Sequence, residues 1–177
     1  MTRIPWYRNI CWPIFSFIIP AHILPPVGTH FLATMHGFSL SAIIIGVVFL
    51  FLTTFGISGG YHRLFAQGTY EAHPILKIFY LLFGAASFES SALKWASDHR
   101  RHHAYIDEDQ DPYNIKRGFW WAHIGWILTK VEPDLREIEK RYAPEMVADP
   151  VHRVLNRLHL VPNILVGIAL YAWGGWS

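Results

Sequence analysis

Ile43-Ile44-Ile45-Gly46-Val47-Val48-Phe49-Leu50-Phe51-Leu52 is the apolar run whose reading decides the fold. It lies inside a longer segment, Asn9 to His62, that holds no Asp, Glu, Lys or Arg. At about 1.5 Å per helical residue, that segment is long enough to cross a ~30 Å hydrocarbon core twice. The crossings are expected over about 11–34 and about 40–57, with Met35-His36-Gly37-Phe38-Ser39 as the tight turn between them. Pro20, Pro25 and Pro26 interrupt the first, as neighbouring helices allow in a membrane. A third uncharged stretch, about 158–177, predicts a third span of near-minimal length. Ile78 to Phe88 is apolar but bounded by Lys77 and Glu89, too short to cross, and reads as an interfacial or buried helix.

Composition agrees with a membrane setting. Hydrophobic residues make up 52% of the 177 and charged residues only 16%, against about 25% charged in an ordinary soluble domain. The single cysteine, Cys11, excludes an internal disulfide and any C-x-x-C metal site. A net charge of +2 without a long basic run gives no footprint for nucleic acid. The first uncharged segment is too long for a signal peptide. Thirteen of the fifteen lysines and arginines fall between Arg63 and Arg157, and the others are Arg3 and Arg8. A two-span hairpin puts both sets on one side, which the positive-inside rule assigns to the cytoplasm. The intervening region, about 60–157, is therefore expected to be cytoplasmic, with the third span leading away from it.

Chemistry concentrates in Asp98-His99-Arg100-Arg101-His102-His103. Histidines at i, i+3 and i+4 share one helical face, so three imidazoles can converge on one point. Imidazole suits iron, zinc, copper and nickel. A second segment, Gly60-Tyr61-His62-Arg63-Leu64-Phe65-Ala66, follows the second span directly. The competing reading of these histidines is a solvated basic helix face, or for His62 an interfacial side chain. His22, His30 and His36, beside prolines and a turn, read as structural.

The chain resembles the membrane fatty acid desaturases, in particular the acyl-CoA or acyl-lipid Δ9 type. Gly59-Gly60-Tyr61-His62-Arg63-Leu64-Phe65-Ala66 and Leu93-Lys94-Trp95-Ala96-Ser97-Asp98-His99-Arg100-Arg101-His102-His103 carry the resemblance. Asp109-Gln110-Asp111-Pro112-Tyr113-Asn114, Arg117-Gly118-Phe119-Trp120-Trp121-Ala122-His123 and Gly125-Trp126 continue it. The resemblance implies an all-α integral membrane protein: a transmembrane hairpin, a cytoplasmic histidine-box region and further spans. It implies a non-haem di-iron centre using O2 and two electrons to introduce a cis double bond into a saturated acyl chain. His62, His99, His102 and His103 would be iron ligands. Trp95 would line the acyl tunnel, and Lys94, with Arg100 and Arg101, would meet an anionic head group. Asp111 would orient a ligand histidine, and His123 would pack near the ligands. Acyl-CoA or acyl-lipid, membrane lipid, and ferredoxin or cytochrome b5 with a reductase are the implied partners.

Two features depart from the family pattern. The first box, H-x-x-x-x-H, stands here as His62 followed by Gln67. A further H-x-x-H-H box is absent, since only His123, His152 and His159 follow His103. Both suggest an N-terminal portion of a desaturase lacking its fourth span, truncated or degenerate, with an incomplete di-iron site. A related di-iron hydroxylase and a non-catalytic desaturase fragment are the alternatives.

Overall fold

The computed structural model describes residues 9–37, 39–129 and 134–174. Among these the architecture is helical, and the one β-type pairing is an isolated bridge between Ile10 and Thr129. Phe38 of the expected turn and residues 175–177 of the expected third span lie outside the described residues. The chain forms two compact units, one within 1–46 and 105–133, the other within 47–104 and 134–177.

In the first unit, α1 (Trp12–His36) is a continuous 25-residue helix. Pro13 starts it at a position where a missing N–H is harmless. Pro20, Pro25 and Pro26 remain inside it. None of its residues is buried, and Leu24 and Phe31 are 65% and 61% exposed. So much bare apolar surface on every side suits lipid rather than water. His22 turns its Nδ1 to the carbonyl of Ile18, 2.7 Å away, so it is satisfied by its own helix. Gly37, at φ 76°, ends the helix in a backbone region that glycine enters without penalty. Cys11 N–H donates to the Leu128 carbonyl at 2.8 Å, tying the start of α1 to the short α5 (Trp126–Leu128).

α2 (Leu40–Phe55) continues into a π-helical segment, Gly56–Ala66. Together Leu40–Ala66 give 27 residues of mean hydropathy 2.5, enough to cross a membrane. The helix thus runs past the boundary expected near 57, and the glycines beyond it serve packing rather than termination.

In the second unit that packing is explicit. α3 (Pro74–Ala86) lies directly on the glycine face of the π segment. A Cβ on Gly56 would stand 2.5 Å from Gly84 N, and one on Gly60 would stand 2.4 Å from Tyr80 Cβ. Gly84 reciprocates, with Tyr61 filling the space in front of it. The apolar stretch expected as an interfacial or buried helix starts earlier, at Pro74, with His73 as its N-cap, and buries Tyr80, Leu81, Gly84, Ala85 and Ala86 while Ile75, Ile78 and Leu82 stay exposed. α4 (Ala92–Ala104) packs Leu93, Ala96 and Ser97 into a core with Tyr61, Leu64, Phe65, Tyr80 and Leu81. α6 (Leu135–Tyr142) and α7 (Pro144–Ala148) close it with Ala143 and Met146.

The expected third span, about 158–177, falls on the second of two consecutive helices. α8 (Pro150–Arg157) and α9 (Val161–Gly174) are separated by a 53° bend. His159 bonds back to the Asn156 carbonyl at 2.8 Å and Pro162 follows, so the ladder is interrupted there. α9 alone has 14 residues, about 21 Å, which falls short of a ~30 Å core. With α8 it forms a broken pair of sufficient apolar length.

Candidate metal centre

His62 owes its position to the π-helical winding. Residues five apart on an α-helix point about 140° away from each other. A helix closed by i→i+5 hydrogen bonds brings residue i+5 back beneath residue i. Gln67 N–H donates to the His62 carbonyl at 3.0 Å, which is such a bond. The two side chains meet as a result, with Gln67 Nε2 2.9 Å from His62 Nε2.

The other histidines come from α4, whose polar face rises above the core face that buries Leu93 and Ala96. His62 and His99 ring centroids are 4.6 Å apart, and those of His99 and His103 are 4.5 Å apart. His99 Nε2 and His103 Nε2 are separated by 3.0 Å. One ligand atom from each of His62, His99 and His103 lies within 4.8 Å of the others. Among the described residues this is the one grouping of three or more His, Cys, Asp or Glu side chains with such convergence. His102 stands aside, its ring 6.4 Å from His99 and 5.4 Å from His103. Positions i+3 and i+4 diverge by about 100° around the axis, so neighbours approaching one of them leave the other.

Trp95 forms the floor under these rings. It stacks on His99 at 4.8 Å and 26°, meets His62 edge-on at 6.0 Å, and donates its Nε1–H to Glu89 at 3.0 Å. Lys94 is paired with Asp98 at 2.5 Å, one turn along α4. Arg100 points the other way, into the second unit. Its guanidinium donates to the carbonyls of Phe65, Ala66 and Tyr142 at 2.8–2.9 Å. Burial pushes the His99 imidazolium down to about 4, and the neighbouring His103, His62 and His102 push the same way. His99 is therefore neutral, with a lone pair to offer, throughout the physiological range.

Asp111 and His123 belong to the first unit. Asp111 is 1% exposed and accepts from the N–H groups of Asp107 and Tyr113 at 3.0 and 3.1 Å, closing a turn in which Asp107 has φ 61°. His123 is exposed and stacks on Phe119, with rings 7° from parallel and 5.5 Å apart. Sequence reasoning overlooked Arg100 as a structural residue because its charge blended into the basic box. It also passed over the π segment. The signal for that segment was a five-residue interval, His62 to Gln67, between side chains that an α-helix would separate.

Three convergent imidazoles, one held neutral by burial, fit a single borderline metal ion. Two irons require more donors than this cluster gathers. Long apolar helices and a histidine cluster on adjoining helices define an all-α membrane protein with a candidate metal centre. No family model matches the chain. It is 35% identical over 159 residues to a probable acyl-CoA desaturase of Schizosaccharomyces pombe, covering 89% of this chain and 31% of that protein. It is 36% identical to acyl-CoA desaturase 1 of Saccharomyces cerevisiae, over 93% of this chain and 32% of the relative. It is 30% identical to the sn-1 stearoyl-lipid 9-desaturase of Anabaena variabilis, over 96% and 60% respectively. The chain belongs to the membrane fatty acid desaturase family. It spans between about a third and three fifths of the length of these relatives.

Proposed function

We propose that the protein acts as an O2-dependent acyl desaturase, introducing a cis double bond at C9 of a saturated acyl-CoA or acyl-lipid. The observation that carries this is the convergence of His62, His99 and His103 in a chain 30–36% identical to acyl desaturases named above. His62, His99 and His103 would hold iron, and His102, its ring 5.4 Å from that of His103, would be the next candidate donor. Bound iron would supply, with O2 and two electrons, the oxidising power that an unactivated C–H bond demands. The chain's own part is positional. Trp95 holds the His99 ring in plane and closes one side of the cluster with an apolar wall. Such a wall excludes water and offers a flat surface to a methylene chain. Electrons would come from ferredoxin or from cytochrome b5 with a reductase. Expression in a host without its own Δ9 activity tests this reading. Iron in the purified protein and new cis-9 monounsaturated acyl chains are expected. A hydroxylated product would instead identify a related oxygenase, and iron-free protein without either product would identify a non-catalytic relative.

The histidine helices would lie at the cytoplasmic face, supported by the thirteen lysines and arginines between Arg63 and Arg157. A reporter fused after Asp111 is expected to read as cytoplasmic. A reporter protected on the opposite face would reverse the orientation of every element.

A further inference from the structure

In the first unit, Phe119 and Trp120 form a bare apolar ridge. They are 63% and 74% exposed, and their rings meet edge-on at 5.3 Å. The ridge opens a helical stretch that continues through Trp121–Gly125 and ends with α5. That end is fastened to the start of α1. Cys11 N–H donates to the Leu128 carbonyl at 2.8 Å, and Ile10 pairs with Thr129 in an antiparallel bridge. Antiparallel pairing means that the chain passing Leu128 runs against the direction in which the chain enters α1. The helix leading up to Leu128 therefore comes from the side towards which α1 departs, and α5 packs on α1. From Phe119 to Leu128 the stretch is at most about 14 Å long. The ridge thus stands no further than that from the first turn of α1, where Trp12 is itself 60% exposed. Just before the ridge, the Arg117 guanidinium lies 3.4 Å over the Trp121 ring, and Lys116 is exposed beside it. Bare aromatic rings next to a cation that rests its stem on an indole are the pattern of the membrane–water boundary.

We propose that Phe119 and Trp120 are an interfacial anchor, inserted between the head groups and acyl chains of the bilayer beside the point where α1 enters it. The occupant of this surface is phospholipid, because the surface continues one that lipid already covers. α1 is bare along its whole length, and the ridge is fastened to its first turn. Insertion is apolar and does not depend on anionic lipid, since Asp109 lies close enough to Arg117 to oppose its charge. The anchor holds the helix of Trp121 and Trp126 down on the membrane surface. It is independent of the chemistry at the histidine cluster.

Cys11 is the one cysteine, so Cys11→Ser gives a background in which a single nitroxide label can be placed. The test is spin-label accessibility of the full chain in phosphatidylcholine nanodiscs. Labels go on Phe119→Cys and Trp120→Cys, with Leu24→Cys in α1 as the lipid reference and Glu137→Cys in α6 as the water reference. Labels at 119 and 120 should collide with O2 more than with a water-soluble nickel chelate, as at 24 and opposite to 137. Adding anionic phosphatidylglycerol should change neither ratio. An unlabelled check avoids any damage done by the label. Lipid brominated near the carboxyl end of its chains should quench the fluorescence that Trp120→Phe removes at least twofold. Labels at 119 and 120 that behave like 137, with that fluorescence unquenched, would place the ridge in water and overturn the anchor. Labels shielded from both reagents would show that protein covers the ridge, which overturns it equally. Insertion that appears only with phosphatidylglycerol would refute the apolar basis of the contact.

Discussion

Replacing Arg100 by methionine is expected to lower the thermal midpoint of the purified protein by roughly 10 °C and to loosen metal binding together with it. The argument is a count of carbonyls at the end of the π segment. The carbonyls of His62, Arg63 and Leu64 are taken by the N–H groups of Gln67, Thr69 and Gly68. Those of Phe65 and Ala66 come last, and no later N–H can close on them in the same winding. Arg100 Nη2 and Nε supply the two missing donors at 2.8 Å, and Nη1 reaches the Tyr142 carbonyl at 2.9 Å. One planar group thereby joins the helix of His62, the helix of His99 and the end of α6. Hydrogen bonds from a charged donor contribute about 1.5–3 kcal/mol each, so removing three leaves a net loss of roughly 3–5 kcal/mol after relaxation. At about 2–4 °C per kcal/mol for a protein of this size, that gives the shift stated. The ion pair of Arg100 with Glu145, 2.7 Å, is a lesser matter because Glu145 is 58% exposed. Exposed pairs contribute about 0–1 kcal/mol, so Glu145→Gln should be nearly silent. Arg100→Lys should fall between, since a single ammonium cannot span three carbonyls in a plane. A Glu145→Gln variant as damaged as Arg100→Met would shift the explanation from the carbonyls to the ion pair.

The contrast between Arg100 and its neighbours shows what the sequence could reveal. Long uncharged stretches announce membrane helices without any tertiary knowledge, because the bilayer imposes their length. α1 and α2 begin close to where charge and turn residues suggested. The i, i+3, i+4 histidines could be placed on one helix face for the same reason: the rule is local. The choice between His102 and His103 as the partner of His62 is tertiary, set by the side from which the π segment approaches. The role of Arg100 is also tertiary, since its acceptors are 34, 35 and 42 residues away. The bend before α9 falls where charge stops, since Arg153 and Arg157 lie in α8 and α9 carries no charged residue, so the start of the uncharged stretch marked its place but not its angle. Gln67 was visible as a departure from a histidine, but its contact with His62 depends on a winding that α-helical periodicity does not anticipate.

Gly56→Ala is expected to be among the costliest additions of a single methyl group at the described glycines. Its Cβ would stand 2.5 Å from Gly84 N and 2.8 Å from the Phe83 carbonyl carbon. Both are backbone atoms of α3, so no rotamer change relieves the overlap, and the helices themselves must part. Overpacking a well-filled interior costs typically about 1–3 kcal/mol, and contact with backbone places this site at or above the upper end. Gly59→Ala is a graded comparison. There the nearest atom is the Tyr80 hydroxyl at 3.1 Å, the far end of a side chain that can yield. Gly46→Ala meets nothing within 4 Å and should leave stability unchanged or slightly raised. The expected order of thermal midpoints is Gly46→Ala at or above the parent, then Gly59→Ala, then Gly56→Ala by ~6 °C or more below it. The function of the site should follow the same order. Gly56 begins the π segment and His62 lies six residues on, so a displacement of that segment from α3 carries the His62 ring with it. Metal affinity should thus fall in Gly56→Ala although the substitution touches no ligand. Equal midpoints for Gly56→Ala and Gly46→Ala would mean that the glycine face does not set the distance between these helices. The placement of His62 against His99 would then need another cause.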